Sequence, residues 1–239
     1  MSGSHYIALS GLRARVDELD RLASDIANVG TSGYKGERQA HAAAERPQFS
    51  DALQTAIDTT MGGRRLDMTA GSLAPTGRSL DVAIDGPGFF VVQTNSGPRY
   101  TRNGHFTRDT NGQLSTEDGQ AVLGDGGPIT LGDGDIHVEE DGSIWTGATQ
   151  AGKLQIVTFE NPGAMTQDGT TLLRADGQTA TPLQTPTVRS GSLEQSNVSV
   201  SERMAELTTV LRGFEALQKA ISLMMNDVDG RAIDQLGRK

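Results

Sequence analysis

The sequence predicts an α+β protein, with N- and C-terminal helices paired as a coiled-coil-like stalk and a central all-β domain. Three observations carry that prediction. Both chain ends are poor in glycine and place apolar residues at alternating spacings of three and four. The middle, from about residue 60 to 195, is rich in glycine and punctuated by Asp-Gly and Asn-Gly. The chain of 239 residues is long enough for a sizeable core. With aromatics at only 4%, that core must be built from Leu, Val, Ile, Ala and Met.

In the first segment, Leu9, Leu12, Val16, Leu19, Ala23 and Ile26 form the stripe, and Leu22 and Val29 widen it. Arg13, Arg15, Asp17, Glu18, Asp20 and Arg21 occupy the other faces with mixed sign. Glycine after a periodic run marks a helix stop, so this helix should end near Asn28–Gly30, with Gly33 as a second break. The last segment repeats the pattern at Val200, Met204, Leu207, Leu211, Phe214, Gln218, Ile221, Met225 and Val228. Gln218 is the polar exception. Ser199 followed by Glu202 suggests a capping box, and Gly230 a stop, for a helix of about 45 Å. A helix packed on its own domain drifts to a wider apolar face with a period of 3.6 residues. Two narrow seams point instead to paired helices whose free faces seek other subunits. The apolar members of both stripes are the candidate subunit interface.

The expected organisation is a helix over 1–34 pairing with 197–239, an irregular connecting arm over 35–78, and a β-domain with its return segment over 79–196. In the arm, Gln39–Glu45 and Ala52–Met61 suit short helices or extended arms, with Gly62-Gly63 as a hinge. LDVAIDGPGFFVVQT, from Leu80, alternates and then becomes wholly apolar around an Asp-Gly-Pro-Gly turn. Asn111-Gly112, Asp118-Gly119, Gly126-Gly127, Asp133-Gly134 and Asp141-Gly142 recur as a meander or small barrel requires. Lys153–Phe159 alternates as an amphipathic strand should.

The residues exclude most kinds of chemistry. With no cysteine there is no disulfide, thiolate metal site, iron–sulfur cluster or cysteine nucleophile. A net charge of −9 argues against a general nucleic-acid binder and a basic membrane-surface protein. No apolar run is long enough for membrane insertion, and the N-terminus lacks the form of a signal peptide. The expectation is therefore a cytosolic chain, or one that leaves the cell without a cleaved signal. Gly147–Lys153 matches most of a phosphate loop, but Leu154 stands where Ser or Thr must hold magnesium. The carboxylates near Asp133 and Asp141 lack the ligand order of calcium loops and suit hairpin turns. His5, His41, His105 and His137 form no zinc pattern. No catalytic residue, metal site or cofactor is expected.

Four co-linear stretches are distinctive. Leu22 to Lys35, LASDIANVGTSGYK, resembles the N-terminal signature of the bacterial flagellar basal-body rod and hook proteins. That signature usually carries an Asn pair where Ser24-Asp25 stand here. LDVAIDGPGFFVV, with YTRNGHF at Tyr100–Phe106 and NGQL at Asn111–Leu114, resembles the family's β-domain. GSLEQSNV, Gly191 to Val198, resembles the lead into its C-terminal helix, where Arg212-Gly-Phe-Glu215 also fits. Within the family, the modest length and Leu66–Ile84 are most similar to proximal rod subunits, with distal rod subunits next.

The resemblance implies a structural, non-enzymatic subunit. It would assemble helically with other rod proteins and with copies of itself, helices inside and β-domain outside, into a shaft that carries torque to the hook. It also implies delivery by the flagellar type III export apparatus without a cleaved signal, to a rod that spans the periplasm. A distal rod or hook-type subunit is the nearest alternative. A carbohydrate- or peptide-binding β-module on a helical stalk is the alternative from another class, and an enzyme the weakest.

Overall fold

A computed structural model describes residues 2–39 and 64–236. The expected arm elements Gln39–Glu45 and Ala52–Met61 and the Gly62-Gly63 hinge lie wholly or almost wholly outside the described residues. The chain divides into two compact units. One contains the helices α1, Ser2–Ala27, and α2, Val200–Leu236. The other contains 28–39 and 64–198 among the described residues.

α1 ends immediately before Asn28, where the Thr31 amide donates back to the Asn28 carbonyl at 3.1 Å. α2 does not stop at Gly230 but continues to Leu236. A lone glycine inside a helix costs only about 1 kcal/mol relative to alanine, too little to end a long run. The expected capping box does not form: the Ser199 hydroxyl lies 3.2 Å from that of Ser201.

The expectation of a coiled-coil-like stalk is corrected by the structure. A coiled coil buries its seam residues as knobs in holes. Here Val16, Ala23, Val200, Met204 and Leu211 are exposed, and Leu12, Leu19, Ile26, Leu207 and Phe214 are only half-buried. The buried positions described in this unit are Arg21, Leu22, Asp25 and Val210. Asp25 pairs with Arg21 at 3.5 Å and with Arg203 at 3.0 Å, and Arg21 reaches Glu206 at 3.2 Å. The physical reason is that three-four spacing defines a stripe but not what it meets. The ion pairs lie off the stripe and bring a different face of α1 against α2.

The second unit is built from short antiparallel strands. Its main sheet has ten strands. Their central path runs through Thr166–Gln167, Leu172–Arg174, Gly97–Thr101, Phe89–Thr94, Ala121–Gly124, Leu114–Thr116 and Phe106–Arg108. Ile136–Val138, Ser143–Thr146 and Thr149–Lys153 form a separate sheet of three. The turns at Asn111-Gly112, Asp118-Gly119 and Asp141-Gly142 place their glycines at φ of 79°, 80° and 85°, backbone that residues with a Cβ rarely adopt. Asp141 accepts from the Ser143 amide at 2.9 Å and from Lys153 Nζ at 3.0 Å, so this carboxylate closes a turn. The phosphate-loop-like run lies partly in the antiparallel strand Thr149–Lys153, not in a loop opening a helix.

Two apolar clusters explain the run of Phe89-Phe90-Val91-Val92. Phe90 and Val92 enter one cluster with Val82, Phe106, Leu114 and Val122. Phe89 and Val91 enter the other with Tyr100, Phe159 and Leu173. Both faces of this strand are covered, so alternation with polar residues disappears. Lys153–Phe159 departs from expectation for a related reason. It is not one amphipathic strand: Leu154, Ile156, Val157 and Phe159 are all buried, Ile156 in the first cluster and Val157 in the second.

Three further strand pairs close the unit. Glu37–Gln39 pairs with Arg64–Leu66, Val82–Ile84 with Val188–Ser190, and Leu73–Pro75 with Ser192–Glu194. The return segment 188–198 thus supplies the partner strand in two of the three.

Candidate functional site

Two features stand out, one in each unit. The first is the outer surface of the helices. Among the described residues, the exposed large hydrophobic side chains are Val16, Val200, Met204 and Leu211, at 41%, 37%, 53% and 42%. All four belong to the stripes read from the sequence. Leu12, Leu19, Ile26, Leu207 and Phe214 are half-buried beside them, and Ala23 is exposed. The side chains of Leu9, Ile221, Met225 and Val228 lie outside the described residues. In water an exposed apolar side chain gains nothing by staying exposed; burying one is worth roughly 1.5–3 kcal/mol.

The second feature is a buried charge cluster in the β unit, and sequence reasoning missed it. Lys35 follows the turn after α1, where Gly33 takes a φ of 70°. A Cβ on Gly33 would lie 2.2 Å from the Asn103 amide nitrogen, so only glycine fits there. The Gly33 amide donates to the Glu194 carbonyl at 2.7 Å. Lys35 Nζ donates to Glu194 Oε1 at 2.6 Å and to the Thr69 carbonyl at 2.8 Å. The Gly71 amide donates to the same Glu194 oxygen at 3.0 Å, and Arg102 Nε approaches Glu194 Oε2 at 3.5 Å. Asn197 accepts from the Gly36 amide at 2.9 Å and donates to the Asp67 carbonyl at 2.7 Å.

Lys35, Arg102 and Glu194 are each at most 6% exposed, and that burial has electrostatic consequences. It pushes the Lys35 ammonium below its ordinary range, against the opposing pull of Glu194. Burial lowers Arg102 as well, again with Glu194 opposing. Glu194 makes both cations tolerable. Arg102 has further support, donating to the Gly86 carbonyl at 2.7 Å and lying 5.6 Å from the centre of the Phe89 ring.

The cluster draws on TSGYK at 31–35, LDMTAGSL at 66–73, YTRNG at 100–104 and GSLEQSNV at 191–198. Parts of several stretches that suggested a family therefore meet in one place in space. A local signal did exist at Arg21 and Asp25, which stand four apart on α1 in ion-pair register. No local signal marks Lys35 and Glu194, which are 159 residues apart.

A polar junction of this kind, with apolar helix surface left outside, suits a part of an assembly better than a reaction centre. Comparison with known proteins agrees. Residues 83–146 match the family described as the flagellar hook protein FlgE/F/G D1 domain. Residues 189–233 match the flagellar basal body rod FlgEFG protein C-terminal family. The chain belongs to this family of flagellar rod and hook proteins and is a structural, non-enzymatic subunit of the basal-body rod.

Its individual relatives point the same way. It is 33% identical to the flagellar basal-body rod protein FlgF of Caulobacter vibrioides, over 100% of this chain and 99% of the relative. It is 33% identical to FlgF of Salmonella typhimurium, over 97% of each. It is 31% identical to the flagellar basal-body rod protein FlgG of Bacillus subtilis, over 93% of this chain and 95% of the relative. No described helix is long and apolar enough to cross a membrane.

Proposed function

We propose that this chain is a proximal-type rod subunit that joins a helical shaft through the stripes of α1 and α2. The observation that carries the reading is that, among the described residues, all four exposed large hydrophobic side chains fall on those two helices. Leu12, Val16, Leu19, Ala23, Ile26, Val200, Met204, Leu207, Leu211 and Phe214 supply the contact, continued by Leu9, Ile221, Met225 and Val228. Neighbours are copies of this chain and other rod proteins. A heterologous contact that does not close produces a filament, and many such contacts in parallel make it stiff enough to carry torque to the hook. Ordering of the helix surfaces is coupled to addition at the growing end. Export through the flagellar type III apparatus without a cleaved signal, into a rod that spans the periplasm, belongs to the same reading and rests on family membership. Identity to FlgG, close to that to FlgF, favours a distal position as the second reading.

Leu211→Asp tests the interface. The expected result is an unchanged melting curve for the β unit and loss of the subunit from purified basal bodies, with loss of swimming. A variant that still enters rods at the normal level would overturn the interface. Labelling a tagged copy in isolated basal bodies separates proximal from distal placement.

A further inference from the structure

We propose that Glu194 is a latch: it holds the strap 33–36 against the return segment, and the strap releases as a local unit while both apolar clusters stay folded. The strap lies on the β unit mainly by polar contacts. Its backbone bonds run to Glu194, to Asn197, to the Asp67 amide and to the side chain of Gln167, not into the ladder of the ten-stranded sheet. Tyr34 is buried at 2% exposure, yet it belongs to neither apolar cluster. Among the described residues, Glu194 is the carboxylate within ion-pair distance of Lys35.

The arrangement is asymmetric. Without the Glu194 charge, Arg102 keeps its carbonyl partners at Ile84 and Gly86. Lys35 keeps only the Thr69 carbonyl, and a buried ammonium with one neutral acceptor is strongly disfavoured. The system relieves this by letting the strap move into water, which exposes Tyr34 but takes no member from either apolar cluster. Along the chain the strap follows α1 and the return segment precedes α2. The inference does not depend on what the helices bind.

The test is amide hydrogen exchange on the full chain. In Glu194→Gln, the Gly33 and Gly36 amides should exchange about 10²- to 10³-fold faster. The Phe106 and Leu114 amides, which bond to Leu80 and Ile129 inside the first cluster, should keep their native rates. Lys35→Met combined with Glu194→Gln removes the stranded charge and should return most of the strap's protection. Equal acceleration of Gly33 and Phe106 overturns the latch, since strap and core would then open together. So does an unchanged Gly33 rate, a double variant no better protected than the single one, or a Glu194→Gln chain that fails to fold.

Discussion

Phe89-Phe90-Val91-Val92 and the stripe Val16, Leu19, Ala23 are both apolar runs, and they end in opposite places. The first lies in the middle of a sheet with clusters on both faces, and all four side chains are at most 5% exposed. The second lies on a helix with Val16 and Ala23 exposed, while Arg21 and Asp25 on the same helix are buried. The β unit puts apolar groups inside because strand pairs on every side complete the enclosure. Among its described residues the helical unit buries Arg21 and Asp25 beside Leu22 and Val210, and leaves Val16, Ala23, Val200, Met204 and Leu211 exposed. A chain can carry such a surface when something else covers it, which is the expected condition of a shaft subunit.

The sharpest way to break this contrast is to empty the β core. Phe90 is fully buried and meets Phe106 edge-on, with ring centres 5.1 Å apart. Phe90→Ala should cost about 3–5 kcal/mol, read as a fall in the urea midpoint. A cost near that of a surface change would mean the first cluster is not what holds the unit. The next effect belongs to the helices. Asp25→Ala removes the buried carboxylate that Arg21 and Arg203 share, leaving both arginines to Glu206, and should cost up to about 3 kcal/mol, seen as loss of helical circular dichroism at lower temperature. The urea midpoint of the β unit should not move. If it moves equally, the two regions are not independent.

The smallest effect concerns acid. Hydrogen bonds from the Ser143 amide and from Lys153 hold the Asp141 carboxyl below its usual value of 3.8. Its folded affinity for a proton is thus weaker than its unfolded one. Its contribution is complete above about pH 4 and is lost as pH falls through the folded value. Asp141→Asn should flatten the acid limb of the melting profile slightly, because the group is half exposed and screened. An unchanged acid limb would show that Lys153 and the turn amide do not favour the charged carboxylate.

Much of this organisation is legible in the residues, and the gaps have definable causes. Local spacing marks both helices, because three-four periodicity is a property of neighbours. Asn-Gly and Asp-Gly mark the hairpins, because positive φ is a requirement of the single residue at 112, 119 or 142. What the stripes meet is not legible: Asp25 finds Arg203 across the length of the chain, and that pairing turns a predicted knobs-in-holes seam into a charged contact. Gly230 misled because a single glycine weakens a helix without ending it. Lys153–Phe159 departs from its alternating pattern because Ile156 and Val157, adjacent in sequence, are buried in different clusters. Lys35 and Glu194 are ordinary surface residues by type, and only the folded chain shows that both are buried.

The strand Phe89–Thr94 has one more consequence. It is a wall common to two rooms: its odd-numbered aromatic and valine furnish one, its even-numbered pair the other. Damage on either side must therefore be felt on the other, and neither room can melt while its neighbour survives. Calorimetry of the β unit should show a single endotherm whose van't Hoff and measured enthalpies agree.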